Sequence, residues 1–273
     1  MITLFRRIRQ KLIDSGSITK YLLYAIGEIL LVVIGILIAL QVNNWNEERK
    51  NRTLELTYYE NLIQDLNSQL NDIEIQVNSE QHVQTAVGEI IHSINTGFAD
   101  TDPSLLSKNL TLATINRTPN LFDATFQDLK STGNLNLIGN ERLKKSMLDY
   151  YQFADRLIRV LTKNGEGFHH FAMAPLLNNQ LMNVDLTGMN PVFSSTIDVQ
   201  ELKQEQVFDE DMDLELNTKL LNRIKTHENL QHFKNSVAYR KWTNDVSLVF
   251  LNQLKDRTDA LIEELEMEVS GIN

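Results

Sequence analysis

Residues 21–42 read YLLYAIGEILLVVIGILIALQV, an apolar run that contains Glu28 and Gln41 but no proline. A helix rises about 1.5 Å per residue, so the run would reach roughly 33 Å, enough to cross a hydrocarbon core of about 30 Å. A cleaved signal peptide would have a shorter apolar region followed by small residues. The run therefore predicts an uncleaved transmembrane helix, which we place at residues 21–44.

Lysine and arginine near this run predict its orientation, because they favour the cytoplasmic side. The five before it are Arg6, Arg7, Arg9, Lys11 and Lys20, and the three after it are Arg49, Lys50 and Arg52. We therefore expect residues 1–20 to be a basic amphipathic segment in the cytoplasm, with its five basic side chains on the lipid of the inner leaflet. Tyr21, Tyr24 and Trp45 are expected to anchor the two ends at the interfaces.

Glu28 is the unusual residue of the predicted span, because a carboxylate in hydrocarbon is costly. At 100° per residue, Glu28, Gly35 and Ala39 fall on one stripe of the helix, and residues 35–39 match a small-xxx-small pattern. Small residues let helices approach closely, and a polar side chain can hydrogen-bond across the contact. The stripe predicts a face for self-association or partner binding. The alternative is a tolerated carboxyl that is protonated or reaches the interface.

The charge of the chain is sharply divided. Residues 1–20 carry a net charge of +4, whereas residues 46–273 carry −13. An acidic outer domain argues against nucleic acid and anionic membrane surfaces as its partners. The chain has no cysteine, which excludes disulfides, thiol catalysis and cysteine metal sites. We therefore expect an acidic extracytoplasmic domain over residues 45–273.

A long helix is predicted directly after the span, over residues 46–95. Apolar residues alternate in steps of four and three, which is typical of a coiled-coil or bundle seam. They are Tyr59, Ile63, Leu66, Leu70, Ile73 and Val77. The phase breaks at residues 79–82 and resumes at Val83. With no glycine or proline between Trp45 and Gly88, we expect this helix to continue from the membrane helix.

The rest of the chain is also predicted to be helical, with loops at 97–103, 163–167 and 183–212. Asp102 and Asn140 are expected N-caps, and Gly133 an expected helix stop. Further helices are expected over residues 214–233 and 236–269. The predicted fold is all-α: one N-terminal transmembrane helix continues into a long helix of an antiparallel extracytoplasmic helical bundle.

The sequence contains no motif for catalysis, a metal or a cofactor, and we expect none of these. His169 and His170 are adjacent and His227 and His232 are five apart, which is poor spacing for one ion. HExxH, GxSxG and phosphate-loop patterns do not occur. Aromatic residues could line a ligand pocket between helices or simply pack in the core. They are Tyr150, Tyr151, Phe153, Phe168 and Phe171.

The segment IGEILLVVIGILIALQVNNWNEERK, residues 26–50, resembles an uncharacterised, domain-of-unknown-function family of single-pass inner-membrane proteins, found mainly in Bacteroidota. Residues 126–151, FQDLKSTGNLNLIGNERLKKSMLDYY, resemble the second recurring block of that family. The resemblance implies a bacterial envelope protein of the inner membrane and implies no activity. With the orientation predicted above, the C-terminal domain is expected in the periplasm.

Three functions remain open at this point. The leading hypothesis is a membrane-anchored envelope protein with an interaction or scaffold role, whose partners are the bilayer and either a second copy or another membrane protein. The alternative is a sensor-like ligand-binding domain that signals through a partner, with the small-molecule ligand unknown. An enzyme is the third. A filled core would favour the first hypothesis, a pocket with convergent polar groups the second, and clustered titratable groups in a cleft the third.

Overall fold

The computed structural model describes residues 18–183 and 210–272, and within them every regular element is helical. Most of the predicted loop 183–212 and all of residues 1–17 lie outside the described residues. The elements are α1 (Ile18–Asn95), α2 (Pro103–Ala113), α3 (Ala124–Ser131), a 3-10 turn (Asn134–Leu137), α4 (Glu141–Phe168), a π-helical turn (His169–Met173), α5 (Ala174–Asn178), α6 (Glu210–Ile224) and α7 (His227–Ile272). The predicted all-α class is confirmed.

The chain divides into two compact units, Met1–Thr57 and Tyr58–Asn273. The described part of the first unit belongs to α1, whose apolar residues from Leu22 to Val42 are mostly exposed. This is the one described helix that is long and apolar enough to cross a membrane. Its exposed apolar surface is what a lipid-facing helix presents, whereas a core helix would bury it.

The described residues of the second unit form two apolar clusters. The first cluster joins α1, α3, α4 and α7, and includes Tyr59, Leu62, Leu66, Phe126, Leu129, Met147, Ala154, Leu254 and Leu265. The second cluster joins α1, α2, α5, α6 and α7, and includes Val83, Val87, Ile90, Leu110, Leu176, Ile224 and Phe233. One face of α4 is recognisable from the helical spacing of its apolar residues, and that face is buried at every position. Its residues are Leu143, Met147, Tyr150, Ala154, Leu157 and Leu161.

Helix α7 runs antiparallel to both α4 and α1 of this unit. Against α4, Thr258 bonds Tyr150, and Ser236 bonds Ala172 in the π-helical turn that follows α4. Against α1, Lys255 pairs with Glu74, and Arg240 with Glu80. In both cases the partner residues on α7 have decreasing residue numbers as those on the other side increase, which is the pattern of antiparallel helices.

Three side chains of α1 fix the segment that leads into α3. Asp65, Gln69 and Asp72, spaced four and three residues apart, share one face of α1. Their oxygens accept from the backbone N–H groups of Thr125, Phe122 and Asn120 at 2.9, 3.0 and 2.9 Å, respectively. The amide of Thr125 lies in the first turn of α3, where N–H groups have no partner within the helix. Asp65 therefore caps α3 from another helix, while Asp123 at its N-cap makes no side-chain cap.

The predicted caps at Asp102 and Asn140 are confirmed, and Gly133 follows α3 at φ +78°. The predicted loop at residues 163–167 is wrong, because α4 continues through it. A side chain at Gly165 would place its Cβ 1.8 Å from Nδ2 of Asn116. This glycine therefore allows a close approach of the Asn116 amide and does not end the helix.

The boundary between the last two helices is also corrected. The structure ends α6 at Ile224 and begins α7 at His227, nine residues before the predicted start. The carbonyl of Thr226 accepts from the amide of Leu230 as α7 begins. No glycine or proline marks this break, so composition gives no signal for it.

Two glycines of the helices are expected to respond oppositely to alanine. Beyond its own stretch of helix, no described atom lies within 4 Å of a Cβ added at Gly88, so Gly88→Ala should raise the free energy of unfolding by about 0.5–1 kcal/mol through helix propensity. Gly165→Ala should lower it, because the Asn116 amide must move away. Chemical denaturation followed by circular dichroism measures both. A stabilising Gly165→Ala would contradict the close approach.

Two adjacent tyrosines form a second matched pair. Burial raises the pKa of Tyr150 to about 12 and also raises that of Tyr151, so both phenols stay protonated near neutral pH. The hydroxyl of Tyr150 bonds Thr258 Oγ1 at 2.9 Å, whereas the buried hydroxyl of Tyr151 has no partner among the described residues. Tyr150→Phe should cost about 0.5–1.5 kcal/mol, and Tyr151→Phe should be neutral or stabilising. Equal destabilisation of the two variants in denaturation curves would contradict the assignment.

Candidate functional site

The predicted association stripe lies on the exposed apolar part of α1. No atom of the described residues, apart from Gly35's own stretch of helix, lies within 4 Å of a Cβ added at Gly35. Ala39 is exposed and Glu28 is half-buried. Trp45, one of the predicted interface anchors, is 65% exposed. The three residues of the stripe therefore lie on one continuous helix, while association through the stripe stays a prediction.

The other predicted membrane contacts belong to residues whose side chains the structure does not describe. Arg6, Arg7, Arg9 and Lys11 lie outside the described residues. Lys20, Tyr21 and Tyr24 lie on α1, and only their backbone is described. Their lipid and interface roles stay predictions.

A buried polar layer separates the two apolar clusters of the second unit. Helix α1 contributes three residues and α7 three more, all at most 3% exposed. They are Gln76, Ser79, Glu80, Arg240, Thr243 and Asn244. We call this set the polar layer. It coincides with the break in the apolar pattern at residues 79–82, which is the signal that the sequence carries for it.

Arg240 is the centre of the polar layer. Its Nε donates to the carbonyl of Ala113 and one terminal nitrogen to the carbonyl of Ile115, both at 2.7 Å. The same terminal nitrogen lies 3.4 Å from Glu80 Oε2, and the guanidinium carbon lies 5.1 Å from the centre of the Phe168 ring. One side chain thus joins α1, α4, α7 and the end of α2, where the last carbonyls have no partner within the helix.

Glu80 is held by amide and guanidinium together. Asn244 Nδ2 donates to its Oε2 at 2.5 Å and to its backbone carbonyl at 2.8 Å. Burial raises the pKa of the Glu80 carboxyl, and the charge of Arg240 and the bond from Asn244 oppose that rise. Burial likewise lowers the pKa of Arg240, against the opposing effect of Glu80. The pair therefore carries a desolvation cost that its contacts offset only in part.

The helix widens into a π-helical turn directly after α4. Pro175 has no N–H, and its ring would clash with the carbonyl of residue 171 in a regular α-helix. Ala174 instead donates to the carbonyl of His169, five residues back. π-helical turns are rare in proteins, and those that occur are often found at functional sites. The structure places Phe171, which is 72% exposed, in this turn.

A surface cleft of about 440 Å³ lies between this turn, α5 and α7. Its described lining is Phe171, Ala172, Pro175, Leu176, Asn179, Leu181, His232, Asn235, Ser236 and Tyr239. Of the aromatic residues considered for a pocket, Phe171 lines the cleft, whereas Tyr150, Tyr151 and Phe168 are buried in the core. Phe153 lies under the guanidinium of Arg257, 3.8 Å from its ring centre.

Among the described residues, the histidines of the second unit form no cluster of three or more with acidic side chains. Partial burial and the charge of Arg240 lower the pKa of His169, whose Nδ1 lies 3.0 Å from Met173 Sδ. Within residues 18–183 and 210–272, no three histidine, aspartate or glutamate side chains lie close enough to hold a metal ion.

The sequence profile of DUF6090, described as a family of unknown function, matches residues 28–169. The match runs from the apolar part of α1 to the start of the π-helical turn. Glu80 therefore lies inside it and Arg240 outside it. No curated protein and no solved structure matches the chain.

Proposed function

Since the chain belongs to DUF6090, a family of unknown function, we propose that it is a membrane-anchored protein of the bacterial cell envelope that acts by binding other proteins. In this proposal α1 crosses the inner membrane, with residues 1–20 in the cytoplasm. The acidic helical unit lies in the periplasm. The span and the helical unit provide two separate surfaces for partners.

The observation that carries this proposal is the pairing of an exposed apolar helix with a well-filled helical unit. The void beside Arg240 is about 20 Å³, room for no more than about one water molecule. Arg240 and Glu80 of the polar layer are engaged by hydrogen bonds within the unit. Among the described residues, such an interior leaves no room for a ligand, so partner proteins would bind at the surfaces of the unit.

The placement can be tested with reporter fusions after Asn273 in a bacterial host. Alkaline phosphatase fused there should be active and a cytoplasmic fluorescent reporter dark, because the more basic flank favours the cytoplasm. The protein should stay in the membrane fraction after alkaline washing. Fluorescence without phosphatase activity would overturn the proposed sidedness, and release by alkali would overturn the anchor.

Association through the span is a separate expectation. Glu28→Leu combined with Gly35→Ile should reduce crosslinking between membrane-embedded copies, or to a membrane partner, by about tenfold or more, because a bulky side chain prevents close helix approach. Gly27→Ile is the matched control. A Cβ added at Gly27 also meets no described atom within 4 Å outside its own stretch of helix, and Gly27 lies about 80° from Gly35 around the helix. Equal loss in both variants, or none, would remove the stripe as the association face.

A second candidate function is ligand sensing, and the cleft beside the π-helical turn favours it. Its volume falls in the usual range for small-molecule sites, and polar side chains converge on it from α7 and from the residue after α5. A ligand there would contact α7, which also carries Arg240 and Asn244. In this function the signal would pass to a partner protein.

A further inference from the structure

The cleft beside the π-helical turn has a lining that specifies the charge of its ligand. Its ten described lining residues include no lysine, arginine, aspartate or glutamate. A charged ligand would lose water there without gaining an opposite charge, which is costly. The nearby Arg240 is 2% exposed and already bonded to two carbonyls and Glu80. This composition favours a neutral ligand.

The polar side chains of the cleft retain unused hydrogen-bonding capacity. Asn235 Oδ1 accepts from Gln231, which leaves the two amide hydrogens of Asn235 for a ligand. Ser236 donates to the carbonyl of Ala172, so its oxygen can still accept. Asn179 and His232 add both donors and acceptors. Several neutral donors and acceptors side by side match a ligand with several hydroxyl groups.

The apolar side of the cleft is partly aromatic. Phe171 is 72% exposed and Tyr239 is half-buried, and both line the cleft. Leu176 and Leu181 are buried beneath it. An exposed aromatic ring gains contact area when a flat, apolar ligand face covers it. The cleft therefore offers ring contacts together with hydrogen bonds to hydroxyl groups.

We propose that this cleft binds a neutral glycoside: a small molecule with a sugar ring and an apolar substituent. The hydroxyl groups meet the amides of Asn179 and Asn235, and the apolar face of the ligand covers Phe171 and Tyr239. This inference rests on the second candidate function, ligand sensing, and names the ligand class for it.

The tryptophans of the chain allow a direct binding test. There are two, Trp45 and Trp242, and the Trp242 ring lies 5.8 Å from that of Tyr239. Trp45→Phe therefore leaves one tryptophan beside the cleft. The full chain in lipid nanodiscs should show a saturable change in Trp242 emission with phenyl β-D-glucopyranoside. Benzoate and benzylamine, the charged probes, should give no saturable change over the same concentrations.

Two variants decide whether the emission change comes from the cleft. Phe171→Ala should weaken glucoside binding about tenfold, because it removes the most exposed ring contact. Leu105→Ala is the control, since Leu105 is 50% exposed on α2 and does not belong to the described lining of the cleft. No saturable change, equal binding of the charged probes, or unchanged affinity in Phe171→Ala would overturn the proposal.

Failure of the site and failure of sensing give different results. If the glucoside binds through Phe171 and crosslinking to membrane partners is unchanged by it, the site stands and sensing fails. If the glucoside does not bind, the ligand assignment fails while the membrane anchor and protein-binding proposals keep their own tests.

Discussion

Replacing Arg240 with methionine is expected to lower the free energy of unfolding by about 3–5 kcal/mol. Methionine fills much of the same space but donates no hydrogen bonds. The carbonyls of Ala113 and Ile115 then lose their donors, and Glu80 remains buried without its guanidinium partner. Most of the cost comes from these stranded groups, because a buried acceptor without a partner retains its full desolvation penalty.

The control for this variant is Arg257→Met on the same helix. Arg257 is exposed and lies over the Phe153 ring, so its loss should cost about 1 kcal/mol or less. Chemical denaturation of the full chain in detergent, followed by circular dichroism, measures both. Equal small effects would show that the polar layer contributes little to stability.

The Arg240 variant should also acquire a distinctive pH dependence. Burial raises the pKa of Glu80 above its ordinary value, and loss of Arg240 removes an effect that opposes this rise. A group whose folded pKa is raised contributes stability at low pH that is lost as the pH rises. The deficit of Arg240→Met should therefore shrink as the pH falls toward the ordinary carboxyl range. Adding Glu80→Gln to this variant should remove this contribution, and an unchanged pH profile would contradict the assignment.

Phe233→Ala is expected to cost about 3–5 kcal/mol, the second largest effect. Phe233 is fully buried in the second cluster, where its ring centre lies 6.4 Å from that of Phe98. Truncation leaves a cavity that neighbouring side chains close only in part. Because the polar layer separates the two clusters, amide exchange should rise more around the second cluster, near Val87 and Ile90, than around Leu62 in the first.

Trp242→Ala is the matched control for Phe233→Ala. It also removes a large ring from α7, but Trp242 is 52% exposed. Its cost should stay near 0.5 kcal/mol, as for most surface changes. Similar losses for the two variants would mean that the second cluster is not a tightly packed core.

Much of the fold could be predicted because local chemistry and periodicity agree. Asp102 before Pro103, and Asn140 before a strongly amphipathic helix, are start signals that depend only on neighbouring residues. The buried face of α4, from Leu143 to Leu161, follows from helical geometry alone. In each case the information lies within a few turns of one helix.

The errors arise where the deciding contact is distant in sequence. Gly165 predicts a loop from its local sequence, because that sequence does not show that the Asn116 amide packs against it. The break in the apolar pattern at Ser79 is present in the sequence. That it marks a polar layer depends on Arg240 and Asn244, which lie far away on α7. The sequence does not predict the cleft, because Phe171 and its buried neighbour Phe168 are the same residue type. Its exposure follows from the π-helical turn at Pro175.

The polar layer has a mechanical consequence for movement of α7 along α1 in the second unit. A slide by one turn, about 5.4 Å, would carry Arg240 past Glu80 and push its charge toward an apolar cluster. It would also detach the guanidinium from the carbonyls of Ala113 and Ile115. The contacts of Arg240 therefore hold the two helices at one alignment and oppose a piston-like displacement. Tilting or rotation of α7 about the polar layer remains as the motion by which α7 can transmit a signal.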